Sequence, residues 1–365
     1  MPQLPSQGPL AELKTRRGKI ALLFIALLVA IVIGWSFGRG RPAQPALPAP
    51  SHSYAESLEM AHTGKPGAAR VLYQQLARTD LSDIRRTSLL AELPNYPGPQ
   101  TMKRLGIDLK DSSPMVRQAA IEAGAGLTSG TARSKLLGPL LDDADPNVRF
   151  TAARALLALS PDEQGLYFVP LQQVVEQYLQ TLKSQPPTGQ SLLQLARLYV
   201  HGDDYQHAAQ ALQQALSLEP RNVEAAIAQI DLMDRQGQTD QARQLFAQWL
   251  EHHPGSPLLQ HALGMWLLHH GQNEYALLAL TKALELDPEN NALRYDLAVA
   301  LHDLEQLEPA QKQLVEALQR QPADRRARLL LIRYWQENGQ LQKVQVLLAE
   351  LEQQNPDDPA LQQGL

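Results

Sequence analysis

The chain has 365 residues, a formal net charge of −5 and no cysteine. Without cysteine there are no disulfides, thiolate metal sites, cysteine nucleophiles or covalently attached c-type haem. The mild charge, with no clustered basic face, excludes a nucleic-acid binder. Leu, Ala and Gln dominate and aromatics are sparse, a composition that favours helix.

Residues 1–19 read as a cytoplasmic tail carrying Lys14, Arg16, Arg17 and Lys19. Residues 20–37, IALLFIALLVAIVIGWSF, hold no charge and as a helix cover roughly 27 Å, enough for a thin bilayer. The expectation is a transmembrane anchor at 20–38, with Trp35 at the headgroup level. Four basic residues precede it and two, Arg39 and Arg41, follow, which predicts a single pass through a bacterial inner membrane with the bulk of the chain periplasmic. The opposite orientation makes the chain a cytoplasm-facing assembly factor. A cleaved signal peptide shares the basic start and apolar middle, but Ser36-Phe37-Gly38-Arg39 is a poor cleavage site, so the anchor is expected to stay. Residues 39–53 follow as a Pro/Ala-rich linker whose spaced prolines favour an extended rod.

Residues 54–185 carry a faint repeat: Ile84-Arg85, Val116-Arg117 and Val148-Arg149 recur every 32 residues. Pro114 and Pro146 fall at helix starts, where a missing N–H costs little. Residues 186–358 carry a stronger one, because Pro186, Pro220, Pro254, Pro288, Pro322 and Pro356 stand 34 residues apart. Twelve positions before four of these prolines stand Ala208, Ala242, Ala276 and Ala310, and Gly237, Gly271 and Gly339 lie seventeen before theirs, with Gly202 one residue off. A period of this length is one supersecondary unit copied and stacked. Proline ends the second helix of each pair, glycine turns the chain between helices, and alanine lets two backbones approach. Residues 359–365 are read as a tail.

These residues resemble the tetratricopeptide (TPR) family from Gly189 to Asp358, in phrases such as ALQQALSLEPRN and ALTKALELDPEN. The resemblance implies five antiparallel helix pairs in a right-handed superhelix with a concave groove. Ile332 and Val344 occupy the two small positions of the last repeat and depart from the pattern. Residues 111–120, which include PMVRQAA, and residues 143–159, DADPNVRFTAARALLAL, look like HEAT repeats, in which Asp and Arg form a structural ladder between units. The expected fold is therefore all-α: an N-terminal transmembrane helix, then an α-solenoid of HEAT-like and TPR helix pairs. A HEAT array followed by TPRs also resembles the C-terminal half of bacterial periplasmic multihaem c-type cytochromes. No C-x-x-C-H is present, so the resemblance implies a scaffold beside a c-type cytochrome or respiratory subunit rather than a haem carrier.

No catalytic, cofactor or metal site is expected. Nucleophile elbow, P-loop and H-E-x-x-H motifs are missing, and an enzyme would have to rest on scattered Ser, His and Asp residues. His261, His269 and His302 lack neighbouring carboxylates at metal spacing. The expected function is to bind protein partners. Positions 2, 5, 9 and 12 of each first TPR helix form one stripe, as the TPR resemblance implies. In this sequence it comprises Leu193, Arg197, Ile227, Asp231, Asp234, His261, Met265, Tyr295, Val299, His302, Leu329 and Arg333. It lacks the Lys/Asn/Arg set of a carboxylate clamp, which favours an amphipathic helix or an extended peptide. Trp335, Val344, Leu347, Leu348 and Leu351 are expected to leave the C-terminal edge apolar and open, and so to drive self-association.

Overall fold

The computed structural model describes residues 52–362. The tail at 1–19, the anchor at 20–38 and the linker as far as residue 51 lie outside the described residues. The expected inner-membrane, periplasmic localisation is corrected: among the described residues no helix is long and apolar enough to cross a membrane, and the stretch that prompted it is not among them. The all-α expectation is met, since the described residues form helices and no strand.

The N-terminal section runs α1 (Tyr54–Thr63), α2 (Ala68–Leu76), α3 (Asp83–Glu92), α4 (Pro99–Asp108), α5 (Pro114–Leu127), α6 (Gly130–Leu137), α7 (Pro146–Leu156), α8 (Pro161–Gln164) and α9 (Phe168–Ser184). Pro114 and Pro146 open their helices as expected. Before α7, the Asp145 side chain accepts from the amides of Asn147 and Val148, two of the four donors a helix start leaves unpaired. Helices α3, α5, α7 and α9 stack in order and bury Leu89, Leu90, Val116, Ala120, Val148, Ala152 and Leu171 in one core.

Arginine–aspartate bridges tie this stack together. Arg117 donates through Nε and Nη2 to both oxygens of Asp143, at 2.8 and 2.7 Å. One unit earlier the bridging residue is Arg86, which donates to the buried Asp108 at 2.7 Å. The 32-residue spacing had pointed to Arg85, which instead lies over the Tyr54 ring. A shift of one residue turns a helical side chain by about 100°, so period alone does not choose between neighbours.

The second section is five helix pairs: α10 (Gly189–His201) with α11 (Tyr205–Leu218), α12 (Val223–Arg235) with α13 (Thr239–His252), α14 (Pro257–His269) with α15 (Asn273–Leu286), α16 (Asn291–Asp303) with α17 (Leu307–Arg320), and α18 (Arg325–Glu337) with α19 (Leu341–Gln354). Each second helix ends two residues before a proline of the 34-residue row. Ala208, Ala242, Ala276 and Ala310 are fully buried where helices meet, and Ile332 and Val344 are buried in the last pair as well. The turn between paired helices needs a left-handed residue, supplied by Gly237, Gly271 and Gly339 and, in the other two pairs, by Asp203 (φ 56°) and Glu305 (φ 59°). Gly202 is not that residue; its φ is −87°.

The two ends of the array meet. The Gly67 amide donates to the Gln353 carbonyl at 2.7 Å. The Asn355 amide group donates to the Pro97 carbonyl, also at 2.7 Å, across 258 residues of sequence. A Cβ on Gly64 would lie 3.0 Å from the Ala323 backbone nitrogen, and one on Gly98 would lie 3.2 Å from the Asp357 carbonyl, so glycine permits both approaches. Ala323 packs within the N-terminal core. Arg325 clamps the buried Asp358 at 2.6 and 2.7 Å and holds the closing segment to the last pair. Residues 359–362, read as tail, add a helical turn, α20, that buries Ala360.

This closure corrects the expected open edge. Val344, Leu347 and Leu351 are buried, and Trp335 and Leu348 pack partly buried on the core. The chain's own ends abut where a second copy was expected, which removes the premise for self-association through this edge.

Candidate functional site

The residues of the predicted stripe keep at least part of their surface open to solvent at all positions but one. Leu193 is the exception: it is fully buried in the core beneath α10 and unavailable to a partner. Ile227, Tyr295 and Val299 are half-buried against the core. Arg197, Asp231, Met265 and Arg333 are exposed.

Side chains are also linked from one repeat to the next. His270 bonds Asp234 at 3.0 Å, His261 bonds Asp296 at 3.0 Å, and His302 bonds Glu337 at 2.7 Å. The His302 ring also stacks on Tyr334 with centroids 3.8 Å apart. Burial pushes the Tyr334 phenol up to about 12, so it stays neutral beneath that ring. The Arg326 guanidinium lies 3.7 Å over the Tyr295 ring and 4.0 Å from Asp296. Arg197 reaches Glu224 at 4.0 Å. His261 and His302 thus serve separate inter-repeat bridges, and among the described residues no group of three or more His, Asp and Glu side chains is placed to hold a metal.

Asp231 differs from its neighbours. It is open to solvent and makes no hydrogen bond or ion pair among the described residues, yet desolvation by the surrounding protein raises its carboxyl, and the nearby Asp234 adds to this. Burial pushes Asp234 up as well, but hydrogen bonds led by that of His270 outweigh it and leave the carboxyl lowered. The bridging residues Asp296, Arg326, Glu337 and His270 escaped the sequence reading. For the three histidine bridges the signal was a His and an acid one repeat plus one or two residues apart, at separations of 35 and 36.

The described residues thus form helical repeats with a partly solvent-facing stripe of mixed chemistry. Residues 199–265 match the tetratricopeptide repeat family model, and the chain carries such repeats. No curated protein matches the sequence. Among solved structures, a MamA protein is similar at 15% identity over 46% of this chain and 91% of that one, with a TM-score of 0.37. YrrB, described as a TPR protein with an unusual peptide-binding site, is similar at 17% identity over 52% and 98%, with a TM-score of 0.36. Yeast Tom70 covers more of this chain, 81% against 65% of its own, at 15% identity and a TM-score of 0.42. None of these matches carries the HEAT-like or cytochrome resemblance.

Proposed function

We propose that the chain is a non-catalytic scaffold that captures a segment of a protein partner across the solvent-facing stripe of its first TPR helices. The observation that carries this reading is the exposure of Leu258 and Met265, 44% and 43% open to solvent on one face of α14, two turns apart. Most of their polar neighbours are bridged to an adjacent repeat, while these two apolar side chains have no cover. Charged side chains flank this apolar centre on both sides. Glu224, Asp231 and Asp234 lie on the α12 side of this apolar centre, whereas Arg326 and Arg333 lie on the α18 side. A segment with apolar anchors at its middle, a basic side chain over α12 and an acidic one over α18 complements it, by helix-in-groove or extended docking. A cation beside Asp231 would return the favourable electrostatics that desolvation removes. The narrower reading, in which a c-type cytochrome or respiratory subunit owns this segment, follows from the order of the repeats alone.

In-cell crosslinking followed by mass analysis tests the proposal and identifies the owner. Leu258→Glu with Met265→Glu is expected to abolish partner recovery while helical content stays unchanged. Tyr275→Glu with Leu278→Glu, on α15 and more exposed at 65% and 68%, is expected to leave recovery intact. The reverse pattern would place the interface elsewhere.

A further inference from the structure

The arginine–aspartate bridges of the N-terminal section stop on an arginine, Arg149, that makes no ion pair of its own, although its charge joins that of Arg117 in lowering the Asp143 carboxyl. Arg117 is anchored through Nη1 to the carbonyls of Asp111 and Ser112, six and five residues earlier, which leaves Nε and Nη2 for Asp143. Arg149 repeats the anchoring, with Nη1 on the carbonyls of Asp143 and Ala144 at 2.7 and 3.3 Å, again six and five residues earlier. Among the described residues it makes no ion pair, and its Nε is buried without an acceptor. Asp143 stands 26 residues after Arg117; the residue 26 after Arg149 is Val175, buried in α9. The helix that takes the place of the next unit therefore returns no carboxylate.

Arg149 instead lines a cleft of about 500 Å³ between α9 and the turn that follows α6. Tyr167, whose ring lies against Gly138, forms one wall, and the exposed amides of Gln173 and Gln177, one helical turn apart, form another. None of these three side chains has a hydrogen-bond partner among the described residues. Two acids border the cleft. Asp143 is already held by both prongs of Arg117, and Asp142 is exposed at the rim, where water and salt screen it.

We propose that this cleft binds a carboxylate borne by a protein partner, which supplies from outside the acid that the chain itself omits after Arg149. Charge-assisted hydrogen bonds from the guanidinium orient the carboxylate, and the Gln173 and Gln177 amides and the Tyr167 hydroxyl are donors within the same cleft. An acidic side chain and a chain terminus offer the same chemistry. The site lies outside the TPR stripe and does not depend on it.

The test is fluorescence anisotropy with the full chain and a short labelled peptide, amidated at its C-terminus, with a central glutamate between leucines. The expected result is binding that the Glu→Gln peptide loses. Arg149→Gln is expected to weaken it about tenfold or more, as loss of a charge-assisted hydrogen bond implies. Arg149→Lys retains part of it, and Asp142→Asn tightens it by removing the nearest free negative charge. A glutamate-free peptide with a free C-terminus that binds through Arg149 would identify a chain terminus as the carboxylate. Gln173→Ala with Gln177→Ala, both exposed on α9, weakens binding without the folding risk of a change at Arg149. Met265→Glu leaves it untouched, which separates this site from the stripe. Equal binding of the Glu and Gln peptides, absence of binding by either, or wild-type affinity in Arg149→Gln would overturn the proposal.

Discussion

Replacing Asn355 by alanine tests whether the two ends of the array are held by the contacts that join them. Asn355 is 1% exposed and its amide group donates to the Pro97 carbonyl at 2.7 Å. Truncation deletes that donor and strands a carbonyl at a junction that water reaches poorly, a loss of about 1–3 kcal/mol. The main-chain bonds around residue 355, from its own amide to Leu351 and from Asp358 to its carbonyl, need no side chain, so the effect should stay at the junction. The nearby reporter is the Gly67 amide, which donates to Gln353 in the same junction. If opening of the junction governs its exchange, protection should fall by roughly fivefold to a hundredfold. Amides inside α12 to α15, far from the junction along the array, should keep theirs. Hydrogen exchange read by mass spectrometry or NMR measures both, and small-angle scattering should show an increased radius of gyration. Unchanged Gly67 protection, or loss spread evenly over all five pairs, would refute the reasoning, the second because it would make residue 355 part of a global rather than a local unit.

Two further changes address the repeats themselves. Glu305 holds a left-handed conformation, φ 59°, at the turn position where three other pairs have glycine, and such a conformation costs a residue with a Cβ about 1 kcal/mol. Glu305→Gly should therefore raise the midpoint of thermal or urea unfolding, and Gly271→Glu should lower it. At Asp231 the carboxyl is raised, led by desolvation, so folding favours the protonated form. The stability associated with it is present below the unfolded-state value and is lost as pH rises through the folded one. Asp231→Asn should then raise the melting temperature at about pH 7 and bring little gain near pH 3, where both states hold the proton; a gain of equal size at both would mean that the charge is not the cause.

Much of this architecture was written in short stretches of sequence. The row of prolines marks helix ends because the residue can neither donate nor continue a helix, a property independent of what surrounds it. Buried alanines at 208, 242, 276 and 310 and left-handed glycines at 237, 271 and 339 were legible for the same reason. A common face for the stripe residues is what 3.6 residues per turn leads one to expect. Leu193 broke that rule because the packing around the first pair decides how much of a face is covered. Asp203 and Glu305 escaped because a left-handed turn prefers glycine without requiring it, and only the backbone shows that they bear the strain.

What tertiary structure alone decided was relation at long range. Arg86 rather than Arg85 bridges to Asp108 because helix rotation, and not period, selects the side chain that faces the next unit. Among the described residues Arg149 makes no ion pair because the element packed beside it is α9, with Val175 where a carboxylate would return. Closure is the extreme case. In a solenoid each unit touches only its neighbours, so sequence specifies a small rotation per repeat. Whether those rotations bring Asn355 back to Pro97 depends on their sum over the whole array, a quantity that no single repeat encodes.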